Sequence, residues 1–297
     1  MILWILLSLL ALGIIVTGIY FFQNPIGFFQ IIQRGFISIS GYNYRWFDTQ
    51  HEKIGYFVGG KGENMILMHG FMVHAGNWSN IAPKLRRQFH VTIPDLPGHG
   101  KSPWTKSRNL EELGDSILEF LLAKTEKESA ILIGNSMGGA IVFQFALKYP
   151  ERVKQLIVIN SAGLEWELDK SLLLPKDRKN ALRKIHAIIN PKLNPPNLFL
   201  DALAKQTTIE FENLLEDALA SSDYFLNHQL ENLKTKPYLL WGEKDGLFPM
   251  DYAHELLELL PDYDFKIFPN DAHAPHNTNP KETLEHLYYI IEEHRQN

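Results

Sequence analysis

The chain has 297 residues, 45% of them hydrophobic, and a formal net charge of -5 at pH 7. This length supports a sizeable core, built as one large α/β domain or two small ones. The net negative charge and the lack of any Lys/Arg block argue against nucleic acid as a partner, and a count of 0 cysteines excludes disulfides and Cys-based metal or redox sites.

The chain begins with MILWILLSLLALGIIVTGIYFF, Met1 to Phe22, which has no charged side chain; the first in the sequence is Arg34. As one helix these residues would rise about 33 Å, enough to cross a hydrocarbon core. A cleaved signal peptide fits less well, because no Lys or Arg precedes the run, the run is long, and no A-x-A site follows it. No face is polar, which also argues against a helix buried in a soluble domain. The expectation is a single-pass N-terminal transmembrane anchor over residues 1–22, with Tyr20, Phe21 and Phe22 in an interfacial aromatic belt. Arg34, Arg45 and Lys53 all follow the span, so the positive-inside tendency places the globular part in the cytoplasm. Residues 23–40 read as a juxtamembrane segment, and apolar, aromatic Ile26–Phe36 suits the membrane interface.

From about Gly41 onward, strand-like and helix-like segments alternate. Short apolar runs recur at Tyr56 (YFV), Met65 (MILM), His90 (HVTI), Ala130 (AILI), Leu156 (LIVI), Tyr238 (YLLW) and Phe265 (FKIF). Such runs suit strands buried on both faces. Helix-length segments lie at Leu110–Lys124, Met137–Lys148, Met250–Leu260 and Pro280–Glu293. The alternation predicts an α/β fold, a mostly parallel twisted sheet with helices on both faces. Residues 163–236 lack a convincing strand and carry helical patterns such as ALRKIHAII and FENLLEDALA, broken by Pro175, Pro191, Pro195 and Pro196. They read as a helical cap over the strand ends, where open α/β sheets bind ligands. The core then comprises 41–162 and 237–297.

The stretch ILIGNSMGGA places Ser136 two residues after Gly134 and two before Gly138. A nucleophile on a tight strand-to-helix turn needs small residues at those positions, since side chains there would collide. A phosphate-binding loop does not fit, because no Lys-Ser/Thr follows the glycines. Nor does GNSMGG have the G-x-G-x-x-G spacing of a dinucleotide site. A serine hydroxyl needs a base, and a base of this kind needs a carboxylate to hold its tautomer. On such a fold the order is Ser, then acid, then His. Asp245 follows the strand YLLWG and His273 follows FKIF, so the candidate triad is Ser136, Asp245, His273. Glu243, Asp271 and His276 are rivals, while His69 and His99 precede the serine and have the wrong order. His273 and His276 could also be read as a metal pair, but Pro275 opposes a helix between them and no companion ligand is apparent; no metal is expected. The oxyanion would be held by the backbone amides of Met137, after the nucleophile, and Phe71, after the strand ending His69-Gly70.

With these positions in place, HGFMVHAGNW, DLPGHGKS, GNSMGG, WGEKDGLFP and DAHAPHNTNP together make the chain from about Tyr42 onward resemble an α/β-hydrolase. The N-terminal apolar run, HGFMVH and SAGL resemble the membrane-anchored monoacylglycerol-lipase branch and related bacterial lipases. The resemblance implies hydrolysis of fatty-acyl esters through an acyl-enzyme, without a cofactor. Ala272 departs from it, standing where the family often has Gly before the His. Ser136 argues against the dehalogenases and epoxide hydrolases of this fold, which use Asp at that turn. A carbon–carbon bond hydrolase of ring-cleavage products is the alternative enzyme, and a non-catalytic binding protein the alternative class. The expected substrate is a lipid or small ester; nothing in the sequence sets the oligomeric state.

Overall fold

The computed structural model describes residues 13, 15–104, 110–221 and 225–296. Most of the expected anchor over residues 1–22 lies outside them. Among the described residues no single helix is long and apolar enough to cross a membrane. Instead, helix α1 (Ile15–Gln23) meets helix α2 (Pro25–Ile39) at a bend of 118°. The bend has a local cause. Pro25 lacks the N–H that would continue α1 and suits the first position of a new helix. Asn24 caps that helix, its side chain accepting from the Gly27 amide at 2.9 Å. Helix α2 is two-faced: Ile37 is fully buried, whereas Phe29, Ile31, Ile32, Phe36 and Ile39 are exposed.

Eight strands form one sheet in the order β1-β2-β4-β3-β5-β6-β7-β8. They are β1 (Asn43–Asp48), β2 (Lys53–Gly59), β3 (Glu63–Met68), β4 (Phe89–Pro94), β5 (Ala130–Asn135), β6 (Val153–Ile159), β7 (Pro237–Gly242) and β8 (Asp264–Phe268). From β4 to β8 every pairing is parallel; β1–β2 and β2–β4 are antiparallel. The apolar runs make this sheet because alternate side chains enter two separate cores. In β5, Ala130 and Leu132 join one core while Ile131 and Ile133 join the other. The first core is closed by helices α4 (Leu110–Lys124), α5 (Met137–Lys148) and α10 (Met250–Glu258). The second is closed by α3 (Ala82–Leu85), α11 (Pro280–Gln296) and Ile37 of α2.

The chain leaves β3 toward β4 on one side and returns as β5 on the other. The strand order therefore reverses at β3/β5, which opens a crevice beyond their C-terminal ends. Between β6 and β7 the described residues form helices α6 (Lys170–Leu173), α7 (Arg178–Ile188), α8 (Asn197–Ala204) and α9 (Ile209–Ala220). Phe199 of α8 packs edge-on against Phe21 and Phe29, with ring centroids at 5.8 and 5.4 Å. The N-terminal helices thus reach the same side of the molecule as the helical insertion.

Candidate active site

Ser136 sits between β5 and α5 with φ 57° and ψ -125°, a backbone conformation that costs a non-glycine residue about 1–3 kcal/mol. The surroundings enforce it. The Ser136 amide donates to Ile159 O at 3.1 Å, and its carbonyl accepts from Gly139 N at 2.8 Å and Ala162 N at 3.0 Å. The turn admits no side chain at either flanking glycine. A Cβ at Gly134 would lie 2.7 Å from Gly139 Cα, and one at Gly138 would lie 2.7 Å from the His69 carbonyl oxygen. These close approaches are the physical content of the Gly-x-Ser-x-Gly spacing.

His273 and Asp245 meet at the same edge. The His273 Nδ1 and Asp245 Oδ2 atoms are 2.7 Å apart, in a pair that is almost wholly buried. An ionised carboxylate only accepts, so Nδ1 carries the hydrogen and Nε2 presents its lone pair. Three further donors fix Asp245: Asn160 Nδ2 to Oδ2 at 2.8 Å, and the Leu247 and Phe248 amides to Oδ1 at 2.8 and 3.1 Å. Asn160 was not singled out from sequence. It follows β6 directly, has φ 42°, and its Oδ1 accepts from Gly242 N at 3.0 Å. Its one sequence signal is an amide side chain at the C-terminal end of a buried strand. Asn135, the residue before the serine, donates to His273 O at 3.1 Å and so joins the serine turn to the histidine loop. From the helical insertion, Ile188 O accepts from His273 N at 3.1 Å and Ala187 O from Gly246 N at 2.9 Å.

The loop after β3 borders the serine. A Cβ at Gly70 would stand 2.9 Å from Ser136 Cβ and 3.4 Å from its Oγ. Phe71 comes next, followed by Met72 in the left-handed region at φ 59°. Among the described residues, neither the Phe71 nor the Met137 amide finds an acceptor. His69 stiffens the loop from beneath: it donates from Nδ1 to Gly70 O at 2.8 Å and accepts at Nε2 from Leu96 N at 3.0 Å. Complete burial pushes its pKa down to about 4, so it is neutral. Above the loop, Phe71 packs against Phe211 of α9 at 5.4 Å, and Phe211 against Trp104 at 5.2 Å. Phe71, Phe211, Trp104 and His99 thus form one aromatic cluster at this loop.

The rival residues are engaged elsewhere. Glu243 is exposed. Asp271 accepts from Thr278 Oγ1 at 2.6 Å and Asn279 Nδ2 at 3.2 Å. His276 is fully buried, lies 4.4 Å from the Trp78 ring and pairs through Nε2 with Asn77 Nδ2 at 3.0 Å. Burial pushes its pKa down to about 3. His99 donates from Nδ1 to Pro97 O at 2.9 Å, and burial lowers its pKa to about 3 as well.

Comparison with known proteins agrees with this architecture. A 2-hydroxy-6-oxononadienedioate/2-hydroxy-6-oxononatrienedioate hydrolase of Comamonas testosteroni is 28% identical over 237 residues, 72% of this chain and 82% of that protein. A pimeloyl-[acyl-carrier protein] methyl ester esterase of Aliivibrio fischeri is 28% identical over 253 residues, 79% of this chain and 96% of that protein. Among solved structures, a membrane phospholipase A described as a bacterial virulence factor superposes with a TM-score of 0.80 at 23% identity, covering 100% of both chains, and so shares the fold. Residues 63–280 match the family model described as alpha/beta hydrolase fold. With that match spanning more than half of its length, the chain belongs to the α/β-hydrolase family.

Proposed function

We propose that the protein is a serine hydrolase that cleaves carboxylic esters with lipid-like acyl groups, monoacylglycerols being the representative substrate. The observation that carries this reading is the strained Ser136 turn, joined through Asn135 to the loop of a His273 whose Nδ1 pairs with Asp245 at 2.7 Å. His273 Nε2 takes the Ser136 proton as Oγ attacks the ester carbonyl. The Phe71 and Met137 amides receive the oxyanion; losing one such donor costs about 3–4 kcal/mol of transition-state stabilisation. His273 then protonates the leaving alcohol. Water, deprotonated by the same imidazole, attacks the acyl-enzyme, and Ser136 regains its hydrogen as the acid departs.

The aromatic cluster of Phe71, Phe211 and Trp104 at the loop that borders Ser136 supports an acyl rather than a polar substrate. The uncharged run over residues 1–22 and the exposed apolar side chains of α1 and α2 support attachment to a membrane, where such esters are found. A second reading, carbon–carbon bond hydrolysis, is favoured by the Comamonas testosteroni relative. The test compares p-nitrophenyl esters and monoacylglycerols of graded chain length with a vinylogous diketone, using wild type and Ser136→Ala. Ester turnover lost in a folded Ser136→Ala, with fluorophosphonate labelling confined to Ser136, is the expected outcome. Wild-type turnover in Ser136→Ala would end the mechanism, and preference for the diketone would shift the assignment to the second reading. Deleting residues 1–22 is expected to give an active protein that carbonate releases from membranes. Persistent association would assign membrane binding to α2 instead.

A further inference from the structure

The first charged residue of the sequence does not face solvent. Arg34, on α2, extends into the domain, and its Nη1 donates to Asp95 Oδ1 at 2.9 Å and Oδ2 at 2.8 Å. The guanidinium carbon lies 4.8 Å from the centre of the Tyr44 ring and 5.0 Å from that of Phe57. The Arg34 side chain is 12% exposed and that of Asp95 0%. An ion pair taken this far from water is weak evidence for stability, because desolvation offsets the attraction. What it holds is more informative.

Asp95 organises the loop that borders Ser136. Its Oδ1 accepts from Ala75 N at 2.8 Å; its Oδ2 accepts from Tyr44 Oη at 2.8 Å and Lys101 N at 3.1 Å. The next residue, Leu96, donates its amide to His69. Both ends of the segment 69–75 are therefore tied to Asp95-Leu96, and the Phe71 amide lies between the ties. We propose that Arg34 is a positioning residue: by pairing with Asp95 it makes the docking of α2 part of the scaffold that sets the Phe71 amide. This rests on the oxyanion role given to Phe71 above. The N-terminal helix then does more than attach the domain; its seat sets the rate of the chemical step.

The charge balance agrees with the geometry. Burial pushes the Asp95 carboxyl up, but Arg34, the Ala75 amide and the Tyr44 hydroxyl outweigh it and hold it below the usual carboxylate range. The other groups facing it are His74 and His99, both kept neutral by burial, and Lys101, whose ammonium sits 5.2 Å from the Tyr44 ring. Without Arg34, burial is opposed by hydrogen bonds alone. Asp95 then takes up a proton at higher pH and loosens its hold on Ala75 and Lys101.

The test uses full-length protein in detergent, with p-nitrophenyl ester turnover normalised to Ser136 sites titrated by fluorophosphonate. Arg34→Met is expected to lower kcat per titrated site about tenfold to a hundredfold at pH 6. KM should stay within about threefold, since of Phe71, Phe211 and Trp104 only Phe71 lies on the loop that shifts. The deficit should shrink toward pH 9 as Asp95 ionises, and Arg34→Lys should recover most of it. Wild-type kcat per site in Arg34→Met, or a loss of equal size at every pH, would overturn the proposal. If Arg34→Met does not fold, Arg34→Gln, which also removes the charge, carries the test: a deficit at pH 6 that shrinks toward pH 9 is expected, and a wild-type profile refutes the proposal. A wild-type protein that neither labels nor turns over ester would instead sink the reading of the site itself.

Discussion

Asp245→Asn isolates the role of the buried carboxylate. Four N–H groups converge on it: His273 Nδ1 and Asn160 Nδ2 on one oxygen, Leu247 N and Phe248 N on the other. Asparagine offers a single oxygen. With its NH2 toward Leu247 and Phe248, two backbone donors that cannot turn away lose their acceptor, at about 1–3 kcal/mol each. With its NH2 toward His273, the imidazole need only shift its hydrogen to Nε2, while turning the Asn160 amide takes the acceptor from one backbone donor, Gly242 N, rather than two. The second arrangement costs less and is the one expected. It leaves a hydrogen on Nε2, so the base of the proposed mechanism is absent although the fold persists. Such a tautomer error is associated with a loss of about 10⁴ in kcat, or roughly 5 kcal/mol of barrier. Steady-state ester hydrolysis measures the first quantity and a thermal melt guards the second. An Asp245→Asn protein that melts near wild type yet keeps kcat within about tenfold would refute the argument.

Gly138→Ala forces a methyl group against the Met68 and His69 carbonyls at the end of a buried strand; a loss of about 3 kcal/mol or more in urea unfolding is expected, and one below about 1 kcal/mol would show that the turn can relax. Stability should also fall with acid. Burial keeps His69 and His74 near pKa 4 and His99 and His276 near 3, against an ordinary 6.5. Between about pH 6.5 and 4 the unfolded chain therefore binds more protons than the folded one. Each such histidine removes about 1.4 kcal/mol per pH unit as pH drops through that window, and none above it. A melting temperature that stays level from pH 7 to 4.5 would contradict this.

The strands β2 to β8 were legible because each is an apolar run, and α4 and α5 because they are helix-length segments between such runs. The first strand was not: NYRWFD has only Tyr44 and Phe47 partly covered, and it is ordered by pairing with β2 at the sheet edge. The serine turn could be read from sequence because its constraint is local, two glycines within two residues. Asn160 could not, since its partners Gly242 and Asp245 lie 82 and 85 residues on. Arg34 was readable only as a charge beyond an apolar run; that it turns inward depends on Asp95, 61 residues away. Local sterics leave a mark in the sequence, whereas a buried polar pair shows only once the chain has closed on itself.

The backbone at Ser136 also bears on how the protein tolerates change. Glycine alone adopts φ 57° and ψ -125° without cost, so replacing the serine by glycine would relax the turn and, on the proposed mechanism, yield a sturdier but inert molecule. Stability and chemistry pull in opposite directions at this residue. A screen that rewards heat resistance alone would drift toward discarding the hydroxyl, and only a selection for turnover would keep it.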